Sequence, residues 1–364
     1  MKQILSSIIA LILLTTAANA QERVIDATDR SPVSAASILD ASGNMVGFTL
    51  SDGVFTEIPK TAYPITIRCV GYEQLVIEQP QNRTWEMTPV VYELAEVVVV
   101  PVERNVLKQT YYVREHLSMS TQSDTITFFM EHMANRLVAA SKDVKYSGDT
   151  SIRLTANRCF VRYKLSDKDI VVADYTNDTP SMLDLIELCD EPIEAHESLK
   201  GQNKLYEKRG KSGILLVQRE NGSTFSNTED QLASKKGHSI SPWILKLMGC
   251  SMKIEQLYNT QVFRANEEGI YQPKDLIEAS FVMEADGKGK FIRKLLNSDK
   301  PVTIRSMIEI YVVDRKYLTK EDAKKEYKKK AEEVQFVIPS TVPPLDKATQ
   351  RLVERAIAES GNSK

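Results

Sequence analysis

The chain has 364 residues, 42% of them hydrophobic, enough to bury a sizeable core and too many for one small sandwich. That composition excludes wholesale disorder. A formal net charge of −2 leaves no concentrated basic face, so nucleic acid is excluded as a partner.

The N-terminus reads as an export leader. Lys2 supplies a positive start, Ile4 to Leu14 form an apolar run, and Ala18-Asn19-Ala20 gives the small-x-small cleavage pattern. The run is shorter than the ~20 residues a spanning helix needs. The expected division is a signal peptide over 1–20, a small β-sandwich over 21–100 and a connector over 101–118. A β-rich domain ending in a helix follows over 119–334, then a Pro-containing linker and C-terminal helix over 335–364.

Residues 22–100 read as short strands with turn punctuation. The strand-like runs are Arg23–Ala27, Ala36–Asp40, Gly47–Leu50, Ile65–Val70, Gln74–Glu78 and Glu86–Leu94. This spacing predicts a small antiparallel sandwich. Asp52-Gly53 supplies one turn, because glycine tolerates positive φ, and Phe55 then points inward. Cys69 shares a strand face with Ile65 and Ile67, as a small buried apolar residue would.

From about 105 to 317 the pattern is strand-rich. Asp124–Ala140 reads as helix or strand. Asn221-Gly222, between Ile214–Arg219 and Thr224-Phe225, reads as a hairpin turn. So does Asp286-Gly287-Lys288-Gly289, between Leu276–Glu284 and Phe291–Leu296. Ile304–Val313 is the clearest strand, with Ile304, Ile308, Ile310 and Val312 on one face and Arg305, Glu309 and Tyr311 on the other. Thr319 to Asp322 opens a helix with a capping box, striped by Ala323, Tyr327, Ala331 and Val334. Its expected pairs are Glu321–Lys325 and Glu326–Lys330. Pro339, Pro343 and Pro344 make an extended linker. Leu345–Glu359 forms a last amphipathic helix with Leu352, Val353, Ala356 and Ile357 on one side.

Four motifs in the first unit carry a resemblance. They are Pro32-Val33 with Ala36-Ser37-Ile38, Gly53-Val54-Phe55, Val70-Gly71-Tyr72, and Glu93 to Val100. In this order they resemble the opening, turn, signature and exit strand of the carboxypeptidase regulatory-like domain, a transthyretin-like sandwich. Asp52 stands directly before Gly53, where the family usually has two residues between. The resemblance implies an accessory module without catalytic residues. The exit strand is similar to the segment leading into the plug of outer-membrane transporters, but the rest of the chain is too short for a transporter barrel. Asp124-Thr125-Ile126-Thr127-Phe128-Phe129 and residues 308–325 resemble envelope proteins that carry the same sandwich, which tips Asp124–Ala140 towards strand.

Catalytic chemistry finds no constellation. His116, His132, His196 and His238 stand in no metal-ligand spacing and read as surface or half-buried residues. Gly237-His238-Ser239-Ile240-Ser241 lacks the second glycine of a nucleophile elbow, and Ser241-Pro242 reads as a helix entry. Gly210-Lys211-Ser212 lacks the phosphate loop's first glycine, since Leu205 holds that place. Asp184, Glu187, Asp190, Glu191, Glu194 and Glu197 read as a solvated acidic face. Cys159, Cys189 and Cys250 fit no zinc motif, and a disulfide among them is left open.

The expected fold is mostly β: an N-terminal transthyretin-like sandwich, then a larger antiparallel β-rich α+β domain with C-terminal helices. No catalytic, metal or cofactor-binding residue is expected, and no cofactor. The expected role is non-enzymatic binding or scaffolding in the periplasm or at the outer membrane. An envelope protein or outer-membrane complex is the expected partner; glycan or lipid is possible, and nucleic acid or nucleotide is not. Two alternatives are a carrier with an apolar groove in the second domain and a hydrolase assembled from distant residues. The hydrolase would draw on His132, His196, His238, Ser239 and the acidic residues.

Overall fold

The computed structural model describes residues 22–81, 83–92, 104–141, 144, 146, 148, 150–174, 181–200, 205–210, 213–232, 250–289, 292–293, 296, 301–328, 336, 338–340 and 342–361. It is mostly β, with one long antiparallel sheet and helices towards the C-terminus.

The first unit contains β1 (Arg23–Asp26), β2 (Ser37–Leu39), β3 (Met45–Phe48), β4 (Ile65–Arg68), β5 (Leu75–Ile77) and β6 (Thr84–Met87). Strands β3-β2-β4-β5 form one sheet, and β1 and β6 pair in parallel. Val24, Ile38, Phe55, Ile65, Ile67, Ile77 and Trp85 pack between them, with Cys69 at the margin. Gly53 has φ +78°, and a Cβ there would lie 2.3 Å from the Val24 carbonyl oxygen, so the turn requires glycine. The strand expected over Glu86–Leu94 ends at Met87.

The long sheet uses β7 (Val106–Ser120), β8 (Thr125–Ala139), β9 (Arg153–Leu165), β10 (Lys168–Asp174), β12 (Leu205–Gly210), β13 (Gly213–Asn221), β14 (Thr224–Asp230), β15 (Cys250–Arg264), β17 (Leu276–Gly289) and β18 (Val302–Leu318). Their order is β10-β9-β8-β7-β18-β17-β15-β14-β13-β12. Two short strands, β11 (Ile193–Glu194) and β16 (Ile270–Tyr271), pair apart from it. Residues 106–118, read as connector, form most of β7 near the sheet's centre. Alternation is hidden there because both faces are buried and Arg114, Glu115 and His116 point both ways.

Successive side chains point to opposite faces. On the cap face, Val113 pairs with Ile310 and Ile310 with Ala279. This face meets a 3-10 helix at Leu183–Cys189 and β16, burying Leu183, Ile186, Leu199 and Tyr271 against Phe225, Phe263 and Phe281. On the junction face lie the first unit and α2 (Lys347–Gly361). Ala35, Leu39, Met45 and Phe48 pack there on Tyr258, Val282 and Met307. Leu352, Val353 and Ala356 of α2 pack on Phe129, Phe160 and Val171, while Ile357 is half exposed.

Other expectations change. Asp286–Gly289 runs on as β17 between β15 and β18 and makes no hairpin turn. A Cβ at Gly287 would lie 2.4 Å from Ile304 Cδ1, so this glycine admits a neighbouring side chain. The Asn221-Gly222 hairpin forms as expected, with Asn221 opposite Thr224. Helix α1 (Lys320–Lys328) is entered through Thr319, whose Oγ1 accepts from the Asp322 amide at 3.1 Å. Lys325 pairs with Asp322 and not Glu321, and Glu326 pairs with Lys108 of β7. Ala331, Val334 and Lys330 lie outside the described residues. Cys69, Cys159 and Cys189 are buried thiols in no disulfide.

Candidate functional site

A cleft of about 690 Å³ opens where the first unit meets the junction face. Its walls come from Arg68 to Gln74, Val90 to Tyr92, Ser223, the end of β15, the start of β17, the middle of β18 from Glu309 to Arg315, and Pro343-Pro344. The Val70-Gly71-Tyr72 motif forms one wall. Gly71 turns at φ +82° and donates its amide hydrogen to Glu278.

Charged side chains fix this junction. Arg68 bonds Glu309 and, at 3.1 Å, Asp346, with the three side chains 6%, 3% and 1% exposed. Burial works against the Arg68 charge, but Glu309 and Asp346 outweigh it and hold the guanidinium protonated. Beside the cleft, Tyr72 donates to Asp26 Oδ2 at 2.9 Å and accepts from Arg219. Arg219 also lies 3.2 Å from Asp29. Burial opposes ionisation of Asp26, yet bonds from Thr28 and the Arg219 charge pull its carboxyl below the usual range.

Glu278 differs from these carboxylates. Tyr92 donates its hydroxyl to it, as Gly71 does its amide, but no cation pairs with it among the described residues. Burial, helped by the nearby Glu309, pushes its carboxyl up to about 7. It therefore exchanges a proton near neutral pH. Burial and the neighbouring Glu278 push the Cys69 thiol up to about 12, so Cys69 is protonated at neutral pH and a poor nucleophile.

The residues weighed on sequence grounds are scattered. His116 is fully buried on the junction face, its ring pulled down to about 3 by burial and by Arg68 and Arg114. His132 is buried on the cap face, with Nε2 3.0 Å from Glu115 Oε1. Neither is the surface or half-buried residue expected, because the polar positions of β7 and β8 face covered layers. His196 stacks on Tyr206 with ring centroids 3.6 Å apart and lies 2.9 Å from Ser198 Oγ. Asp190 of the acidic run is clamped by Arg136. His238, Ser239, Ser241 and Lys211-Ser212 lie outside the described residues. Among the described residues no group of three His, Cys, Asp or Glu is placed to hold a metal ion.

Sequence reasoning passed over Arg68, Glu278 and Glu309 as functional residues. The available signal was a lone carboxylate between apolar residues, in Ile277-Glu278-Ala279 and Ile308-Glu309-Ile310. Compared with known proteins, the chain matches no family model and no curated protein.

Proposed function

We propose that the chain is a non-enzymatic binding or scaffolding protein of the cell envelope. The leader over 1–20 exports it, and it works in the periplasm or at the outer membrane. The first unit acts as a carboxypeptidase regulatory-like module; its ordered motifs and its pair of small sheets support that reading. The cleft at the junction is the binding surface. The observation that carries this is the composition of its walls: both units and the Pro343-Pro344 linker contribute to a single hollow of about 690 Å³. That volume suits a small ligand or the end of a partner chain. Its chemistry favours holding over turnover. Arg68 and Glu309 are used up in buried bonds, Cys69 keeps its proton, and Glu278 is tied to Tyr92 and Gly71.

The test is cross-linking in intact envelopes followed by recovery of the tagged chain. It compares the parent with Val91→Trp, a bulky change at an exposed residue of the cleft wall. One envelope protein should dominate the parent's catch and be lost from the variant's. No enriched partner, or the same catch from both, would overturn the reading.

A further inference from the structure

Arg264, at the end of β15, and Arg315, in β18, both line the cleft. Among the described residues neither is ion-paired, in contrast to Arg68 and Arg219. Arg315 donates one Nη2 hydrogen to the Leu276 carbonyl, while its Nε is buried without a partner. The two guanidiniums lie close enough that burial and then the Arg264 charge lower the pKa of Arg315. Asp275 feels both cations, but one of its oxygens accepts from the Gln272 amide at 3.1 Å and it pairs with neither arginine.

Two neighbouring cations with spare donors repel one another unless an anion sits between them. Planar guanidiniums are suited to two-point bonding of carboxylate or phosphate. Of the three carboxylates in the lining, Arg68 neutralises Glu309, Glu278 is mostly protonated below neutral pH, and Glu73 is exposed to solvent on the first unit's side. Beside the arginines the lining is apolar, with Val91, Val312, Val313, Pro343 and Pro344. Val91 is 90% exposed, so its side chain is open to a ligand in the cleft.

We infer that the cleft takes an organic anion, with a carboxylate or phosphate head bonded by Arg264 and Arg315 and an apolar body against Val91, Val313 and Pro343. This deepens the binding role proposed above and rests on it for the site.

The probes are octanoate, octyl phosphate, octanol and octylammonium, titrated calorimetrically into the full chain at low and high salt. One or both anions should bind, and more weakly as salt rises. Octylammonium should not bind. Arg264→Ala and Arg315→Ala should each weaken anion binding about tenfold or more, the loss of one charge-assisted contact. Because Arg315 is partly buried, Val91→Asp is the second variant: it sets a carboxylate at an exposed position of the wall and should abolish anion binding while the thermal midpoint stays put. Preference for octyl phosphate would mark a lipid-type headgroup; preference for octanoate would mark a fatty acid or a chain-terminal carboxylate. Either supports the assignment. It is overturned if neither anion binds, if octanol or octylammonium binds as well, or if the variants keep parental affinity. A captured envelope protein with no anion binding would refute this ligand class and leave the binding role standing. Anion binding with no captured protein would keep the cleft and this ligand class and remove the protein partner.

Discussion

On the cap face, Ile308, Ile310, Ala279 and Phe281 meet the aliphatic and aromatic side chains of the segment around Leu183 and Tyr271. One residue along on the same strands, Glu309 and Glu278 point the other way, as Arg114 does on β7, and all three are just as buried. On the junction face, Arg114 stands opposite Glu309 on one side and Glu131 on the other, and Glu131 bonds Arg158 at 2.5 Å. Apolar contact is non-directional and tolerates sliding. Desolvated ion pairs give little net stability but heavily penalise any arrangement that separates them. The cap face therefore supplies cohesion, whereas the junction face sets how the first unit sits and so shapes the cleft.

This contrast can be broken from either side. Phe281→Ala should cost most, about 4 kcal/mol, by opening a cavity in the cap-face core; denaturant unfolding would show it, and a change under about 1 kcal/mol would refute the assignment of cohesion. Arg68→Leu strands Glu309 and Asp346 and should cost about 3 kcal/mol. Adding Glu309→Gln and Asp346→Asn should restore most of it, and no recovery would show that the charges are not the cause.

Acid and base sharpen the comparison further, because two groups at the junction act in opposite directions. Glu278 keeps its proton up to about 7 when folded and releases it near 4.5 when unfolded. Between those values the unfolded state binds fewer protons, so stability falls as pH rises, by up to about 3 kcal/mol. Glu278→Gln should remove that loss, and its advantage over the parent should grow from pH 4.5 to 7. His116 is the mirror case: folded it protonates only near 3, unfolded near 6.5. Its contribution is present above 6.5 and is lost as pH falls towards 3, and His116→Phe should flatten that acid limb. Thermal unfolding across pH 3–8 reads both; parallel curves for parent and variants would sink the assignment. The smallest effect belongs to the surface. Lys325→Ala breaks an exposed pair with Asp322 and should leave the thermal midpoint indistinguishable from the parent's.

Much of the β architecture was legible because its signals are local. The alternation over Ile304–Val313, the Asn221-Gly222 turn and the stripe of Leu352, Val353 and Ala356 each lie within a few residues of chain. The misreadings arose where one residue type serves two purposes. Gly287 resembled a turn glycine but makes room for Ile304. In β7, His116 read as a surface or half-buried residue although it is fully buried on the junction face. The cleft was least legible. Arg68 and Glu309 are 241 positions apart, and nothing in either neighbourhood announces the other. Only the Val70-Gly71-Tyr72 motif pointed to the right place, and it did so as a fold signature.

Residues 346–360 finish structures begun much earlier. Asp346 supplies the second carboxylate for Arg68, and its Oδ1 accepts the amides of Ala348 and Thr349 at the start of α2. Further along, Glu359 and Ser360 accept the backbone amides of Val171 and Ala173 on the sheet's outer strand, at 3.1 and 3.3 Å. Without residues 346–360 the outer strand would have a bare edge and Arg68 would keep only one of its two carboxylates. A chain cut short before residue 346 would keep most of its core yet present a sticky border to its neighbours. The last helix thus also works as a seal on the sheet's edge.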